Sequence, residues 1–171
     1  MAAPGLGDPN FERSVVLLIE HSDEGALGLI LNRPSDIDVV DPLPEWEPLT
    51  GQPPVVFFGG PVSQGGVLAL GRAREGEGFS PVVGDIGVVD LHQEPDQVAA
   101  AVDRLRVFSG YAGWSGGQLE SELEEGGWFL LDAAPDDALS DSPDSLWSDV
   151  LRRQGGRLAR YANYPVDVSA N

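Results

Sequence analysis

The chain is made of short apolar runs, each cut off within four to seven residues by glycine, proline or an acidic turn. Such runs suit strands, which use roughly four to eight residues at a time. Ser14–Glu20 (SVVLLIE) is a β-branched run of this kind and Ala26–Asn32 (ALGLILN) is a second, ended by Pro34. His21–Gly25 (HSDEG) between them has turn chemistry, so the two runs are expected to form a hairpin with a five-residue loop. Further strands are expected at Val55–Phe58, Gly66–Gly71, Ile86–Asp90 and Trp128–Asp132. Asp36–Pro54, rich in Asp, Pro and Glu, is read as a loop with a short helix near Leu43–Leu49. Arg72–Phe79 is read as a loop or hairpin tip.

Helical signals concentrate in the second half. Pro95 suits a first helical position, and Val98, Val102 and Leu105 follow at i, i+4 and i+7, which predicts a helix to about Ser109-Gly110. A second helix is expected over Gly117–Glu125, stopped by Gly126-Gly127. Ser142-Pro143-Asp144 opens a third, running to about Gln154 with Leu146, Trp147, Val150 and Leu151 inward. The tail, with Arg157, Arg160, Tyr161 and Tyr164, is expected to lose order towards its end. Strands first, helices later and no βαβ alternation indicate α+β, in a single domain over residues 1–171. Gly (22) and Pro (14) show no period, which fits many tight turns and no repeat.

Composition then narrows the chemistry. The formal net charge is −18, which opposes nucleic-acid and anionic-membrane partners. Every basic side chain except two histidines is Arg, and Cys is absent. Thiolate nucleophiles, Cys-based metal sites, lysine Schiff bases and the phosphate-loop lysine are thereby excluded. The first residues, Met1–Glu12, lack the basic and apolar regions of a secretory signal, and no apolar run reaches membrane length. A cytoplasmic location is the expectation, with neither cofactor nor metal. From Glu120 to Asp149 there are acids and no base, and Arg152, Arg153, Arg157 and Arg160 follow, placed to pair with that stretch.

Several motifs carry possible chemistry. Gly113-Trp114-Ser115-Gly116-Gly117 matches G-x-S-x-G, but that elbow needs a preceding strand and a later His. A helix is expected before it, and His21 and His92 both precede Ser115, so a Gly-rich loop between helices is the preferred reading. Glu20-His21, near Asp23 and Glu24, can form a metal or acid–base site, although a hairpin turn with a hydrogen-bonded His is the preferred reading. Asn32-Arg33 can clamp an anionic ligand, although pairing of Arg33 with an acid such as Glu20 is preferred. Gly59-Gly60-Pro61 allows close backbone approach. Asp136–Asp144 lacks calcium-loop spacing and reads as a solvated loop. Gly110-Tyr111-Ala112-Gly113-Trp114, with Gln118-Leu119-Glu120, is the most distinctive segment; its aromatics either line a pocket or plug the core.

Taken in order, Asp8-Pro9-Asn10-Phe11, Glu20-His21, Gly25–Pro34, Gly59-Gly60-Pro61-Val62, Gly110–Trp114, Gln118-Leu119-Glu120 and Leu146-Trp147 resemble the AlgH/YqgE-like family of bacterial proteins over nearly the whole chain. That resemblance implies a mixed, bifurcated β-sheet curled into a pseudo-barrel with flanking helices, in a cytoplasmic protein. It supplies no established activity; members are often labelled transcriptional regulators through association with alginate production. The family pattern does not require a serine at Ser115.

The leading functional expectation is a non-enzymatic protein acting through an unidentified protein or small-molecule partner. Its surface would join Glu20, His21, Asn32, Arg33, Gly59 and Gly60 with Tyr111, Trp114, Gln118 and Glu120, provided the two groups share a cleft. The alternatives are a hydrolase using His21 or His92 with nearby carboxylates, and a regulator binding DNA through the C-terminal arginines, which the net charge opposes.

Overall fold

The structure is a computed structural model and describes residues 1–73 and 78–164. The tail expectation beyond Tyr164 and the middle of the Arg72–Phe79 tip lie outside the described residues. Eight strands form one mixed sheet: β1 (Val16–Ser22), β2 (Gly25–Ile30), β3 (Pro34–Asp38), β4 (Val55–Phe58), β5 (Val62–Ala73), β6 (Phe79–Val83), β7 (Ile86–Val89) and β8 (Val102–Ser115). The main order is β1-β2-β8-β5-β7-β6. β4 joins β8 in parallel and carries β3 on its other side. All other pairs are antiparallel.

β8 organises this sheet. One edge pairs with β5 from Val102 to Tyr111. The other takes β4 at Phe108 and Ser109, then β2 from Ala112 to Ser115. The sheet therefore splits between these partners, at Gly110, whose φ of +68° suits glycine. The bifurcation and the near-closed barrel agree with the α+β expectation.

The helix expected from Pro95 to Ser109 stops early. α1 covers only Pro95–Ala99, and β8 begins three residues later. The helical spacing of Val102 and Leu105 comes from a bulge: Ala73 faces Val102 and Arg72 faces Arg104, so Asp103 has no partner. One extra residue shifts the alternation, placing Val102, Leu105 and Val107 in the same apolar cluster. Gly110–Trp114 is likewise strand and not loop.

Other differences are smaller. The first hairpin turns on Asp23-Glu24 alone, so His21 sits on β1 opposite Ala26. Asp36–Pro54 contributes β3 and a 3-10 turn at Glu47–Leu49, with Val39 and Trp46 buried. Arg72 ends in β5, and Phe79 starts an added strand, β6. Trp128–Asp132 is not a strand of the sheet; only Trp128 makes a bridge, to Ala2.

The helices α2 (Gln118–Glu124), α3 (Pro135–Ala138), α4 (Leu146–Gln154) and α5 (Gly156–Ala159) flank the sheet. Gly126, at φ +79°, follows α2 as expected. α4 follows a 3-10 turn at Pro143–Ser145 and buries Leu146, Trp147, Val150 and Leu151 against the largest cluster. Ser142 gives no side-chain cap there. A third cluster, around Trp114, Leu119 and Trp128, lies beneath α2. Among the described residues no helix is long and apolar enough to cross a membrane.

The Asp-rich stretch before α4 is latched, not merely solvated. Asp136 pairs with Arg72 at 2.6 Å, Asp137 with Arg153 at 2.6 Å and Asp141 with Arg104 at 3.0 Å. Arg152 pairs with Asp149 at 2.9 Å. Of the C-terminal arginines, Arg152 and Arg153 thus meet the acidic segment as expected, while Arg157 and Arg160 form no ion pair among the described residues.

Candidate functional site

The end of the first hairpin and the end of β8 enclose one open concavity of about 820 Å³. β1 presents Glu20 and His21 to it, and β8 presents Tyr111, Gly113 and Trp114, with Val62 of β5 completing the wall. The ladder explains the convergence: His21 pairs with Ala26, and Ala26 with Trp114, so one row of the sheet runs through all three. A bulge at Ile19, between Leu18 opposite Gly28 and Glu20 opposite Leu27, sets the phase in which the hairpin end reaches the site. Gly25 must be glycine here. Its φ is +145°, and a Cβ would stand 2.3 Å from the Trp114 carbonyl oxygen.

α2 closes the rim. His21 Nε2 and Glu120 Oε1 are 2.5 Å apart, with both side chains about half exposed (51% and 49%). The hydrogen bond to His21, together with a backbone N–H, holds the Glu120 carboxyl below the usual glutamate range. Gln118 accepts from Ser115 N–H at 3.1 Å and from Ser115 Oγ at 3.2 Å, and donates to Glu122 at 2.9 Å.

Glu122, which the sequence reading passed over, is the anchor of this end. One of its carboxylate oxygens accepts from Trp114 Nε1 at 3.0 Å and from Trp128 Nε1 at 2.7 Å. Phe11 packs on both indoles, with centroids 5.9 and 5.3 Å away. The i, i+4 spacing of Gln118 and Glu122 was the available signal. Trp114 is only 7% exposed, so it plugs the core and lends an edge to the concavity.

The remaining candidates stand elsewhere. Asn32 ties the N-terminal segment to the far end of the hairpin: its Oδ1 accepts from Val15 N–H and its Nδ2 donates to the Arg13 carbonyl, both at 2.9 Å. Arg33 donates to the Glu12 carbonyl and forms no ion pair with Glu20. Gly59 and Gly60 cross β8 backbone to backbone: Gly59 N–H bonds the Ser109 carbonyl at 2.8 Å. A Cβ on Gly60 would lie 2.1 Å from the Tyr111 carbonyl carbon.

The elbow reading changes in one respect. A strand, β8, precedes Ser115 and a helix, α2, follows, contrary to the expected helix. Ser115 nevertheless lacks the elbow's positive φ, and its hydroxyl is given to Gln118, not to a histidine. His92 lies in the loop before α1, where its N–H bonds Asp90 at 3.0 Å and helps lower that carboxyl's pKa. No group of three or more His, Asp or Glu side chains suited to a metal occurs among the described residues.

A split, nearly closed α+β sheet with a concavity at its first hairpin defines a pseudo-barrel protein. The chain belongs to the AlgH-like family, whose model matches residues 1–159. It is 51% identical to a UPF0301 protein of Streptomyces coelicolor, aligned over 100% of this chain and 92% of that protein. A UPF0301 protein of Thermobifida fusca is 46% identical with the same coverage. Among solved structures, a Corynebacterium diphtheriae protein superposes with a TM-score of 0.90 at 34% identity, covering 96% of this chain and 89% of that one. The solution structure of AlgH from Pseudomonas aeruginosa gives 0.72 at 27%, covering 98% and 92%. These names carry a family label and no reaction.

Proposed function

We propose that this protein works by binding and not by catalysis, taking a protein segment or small ligand in the concavity between the first hairpin and β8. The observation that carries this reading is the convergence of Glu20, His21, Tyr111 and Trp114 on one concave surface, with Glu120 bonded to His21 at its rim. Recognition would combine the aromatic wall with the carboxylates of Glu20, Glu24 and Glu120. Among the described residues the lining has no Arg, so neutral or cationic groups suit it better than anions. Gln118 braces the rim through Ser115 and Glu122. Asn32, Arg33, Gly59 and Gly60 serve the site indirectly, by fixing the hairpin and the β8 crossing. The setting is the cytoplasm, and any regulatory effect is indirect, through a bound partner.

A thermal-shift screen of metabolites and metals followed by amide NMR tests this. A ligand at 100 times its Kd stabilises by about 2.7 kcal/mol. Binders are expected to move resonances of Glu20–Ala26 and Tyr111–Ser115, and the His21→Ala/Glu120→Gln double variant is expected to lose them while remaining folded. Hits that shift only residues remote from this surface would refute the assignment.

A further inference from the structure

One extra residue in β1 sets the chemistry of the concavity. Before it, the strand alternates regularly. Leu17 and Ile19 pack on the main core, while Val16 and Leu18 pack with the cluster beneath α2. Strict alternation would next turn Glu20 towards α2 and His21 inward. The bulge reverses both. Ile19 has no partner on β2, Glu20 pairs with Leu27, and His21 pairs with Ala26. Leu27 shares its face with Leu29, a fully buried core residue two positions on, so Glu20 stands on the inward face of the sheet at its open end. His21 is left on the α2 side, where it meets Glu120. Re-aiming a side chain is what a bulge beside a site does.

The row through Glu20 and Leu27 continues to Gly113 on β8. Tyr111, two residues before Gly113, lies on the same face. Its ring leans into the space that Gly113 leaves open: a Cβ there would lie 3.3 Å from Tyr111 Cε2 and 3.7 Å from Val62 Cγ2. Glu20 and the Tyr111 ring thus flank Leu27, on strands two spacings apart, about 9.6 Å. Neither Glu20 nor Glu24 forms an ion pair among the described residues. The result is a carboxylate facing an aromatic ring across an apolar floor.

We propose that the concavity takes an arginine side chain of a partner protein, its guanidinium seated over Leu27 between the Glu20 carboxylate and the Tyr111 ring. This rests on the binding reading above and names the occupant. A guanidinium meets a carboxylate through two parallel N–H bonds and stacks on aromatic rings. It is less hydrated than an ammonium, so an apolar floor of Ile19, Leu27 and Val62 favours Arg over Lys. Glu24, also in the lining, adds to the attraction. Free arginine fits less well. Its α-carboxylate would face Glu24, and among the described residues the lining offers no Arg to pair with it. Within a peptide that charge is absent. A volume of about 820 Å³ leaves space for the residues on either side of the arginine.

The probe is acetyl-Ala-Arg-Ala-amide, titrated into the isotope-labelled full chain with amide NMR as the readout. It should move Glu20–Ala26 and Tyr111–Ser115. The peptide with citrulline, the neutral isostere, should bind about fivefold more weakly, and the lysine peptide about threefold more weakly. Glu20→Gln and Tyr111→Leu should each weaken the arginine peptide by about threefold. Glu20 is exposed, so its variant keeps the fold whatever Tyr111→Leu does. If citrulline binds as tightly at these residues, charge is not read there: the proposal falls and the binding reading stands. Equal binding of the lysine peptide, or an unchanged Glu20→Gln, would reduce the effect to general attraction by an acidic chain and overturn it. Tighter binding of free L-arginine would make this a small-molecule site, and the partner-protein assignment would fall. No movement of these residues at about 10 mM peptide also defeats the proposal. Arginine-dependent shifts confined to remote residues would defeat it together with the reading on which it rests.

Discussion

Glu120 and His21 meet at 2.5 Å across 99 positions of sequence, at the surface. The depressed Glu120 pKa fixes the sign of a pH effect: a carboxyl lowered in the folded state adds stability above its unfolded pKa and loses it as pH falls through the lowered value. Carboxyl NMR should find Glu120 titrating below the ordinary glutamate range, and His21→Ala should move it up towards that range, the backbone N–H still holding it down in part. The exposure of both partners keeps the stabilisation small. Arg106 is the opposite case. It is 2% exposed, lies 4.1 Å from the Phe57 ring centre, and donates to the carbonyls of Gln52, Ala138 and Ser140. Burial lowers its pKa to about 10, which still leaves it charged at neutral pH. Arg106→Met orphans three carbonyls and should cost about 3 kcal/mol in urea unfolding. The Glu20-His21 and Tyr111–Glu120 segments could be picked out from residue type alone. The partner of Arg33 could not: the expected Glu20 lies at the other end of the hairpin, and a backbone carbonyl of Glu12 takes its place.

At the scale of elements, strands bounded by strong punctuation were legible: Val55–Phe58 appears as expected, and Ile86–Val89 ends one residue short. α2 and α4 were legible too, because Gly126 and the Ser142-Pro143-Asp144 start bound them. β8 was not. Its Asp103 bulge imitates a helical three-residue step, and its Leu105–Phe108 core is buried on both faces, which removes the alternation that marks a strand. Trp128–Asp132 has strand composition and no neighbour in the sheet, and neighbours are not written in composition. Gly60→Ala should destabilise by about 2–4 kcal/mol, because its Cβ meets backbone and cannot rotate away. Asp103→Gly, at an exposed bulge, should stay within about 0.5 kcal/mol of the parent. Asp137→Asn breaks a two-bond contact with Arg153 and should cost about 1 kcal/mol in the same assay.

For the molecule as a whole, a net charge of −18 makes self-repulsion a general term. Salt screens it over about 10 Å at 0.1 M, so melting temperature should rise as NaCl is added, although the arginine latches weaken. The same field predicts no shift of duplex DNA in gel titrations even at low salt; a shift there would restore Arg157 and Arg160 as a nucleic-acid face. The position of β8 has a consequence for synthesis. β8 holds β2, β4 and β5 together, yet it is the last strand of the sheet to be made, and Met1–Ala3 waits for Gly127–Phe129. On the ribosome, more than half of the chain must emerge with its apolar strands unclosed before Ser115 arrives. Completion of the sheet thereby waits for the synthesis of β8, and a nascent chain stalled before Ser115 exposes the surface that chaperones and proteases engage.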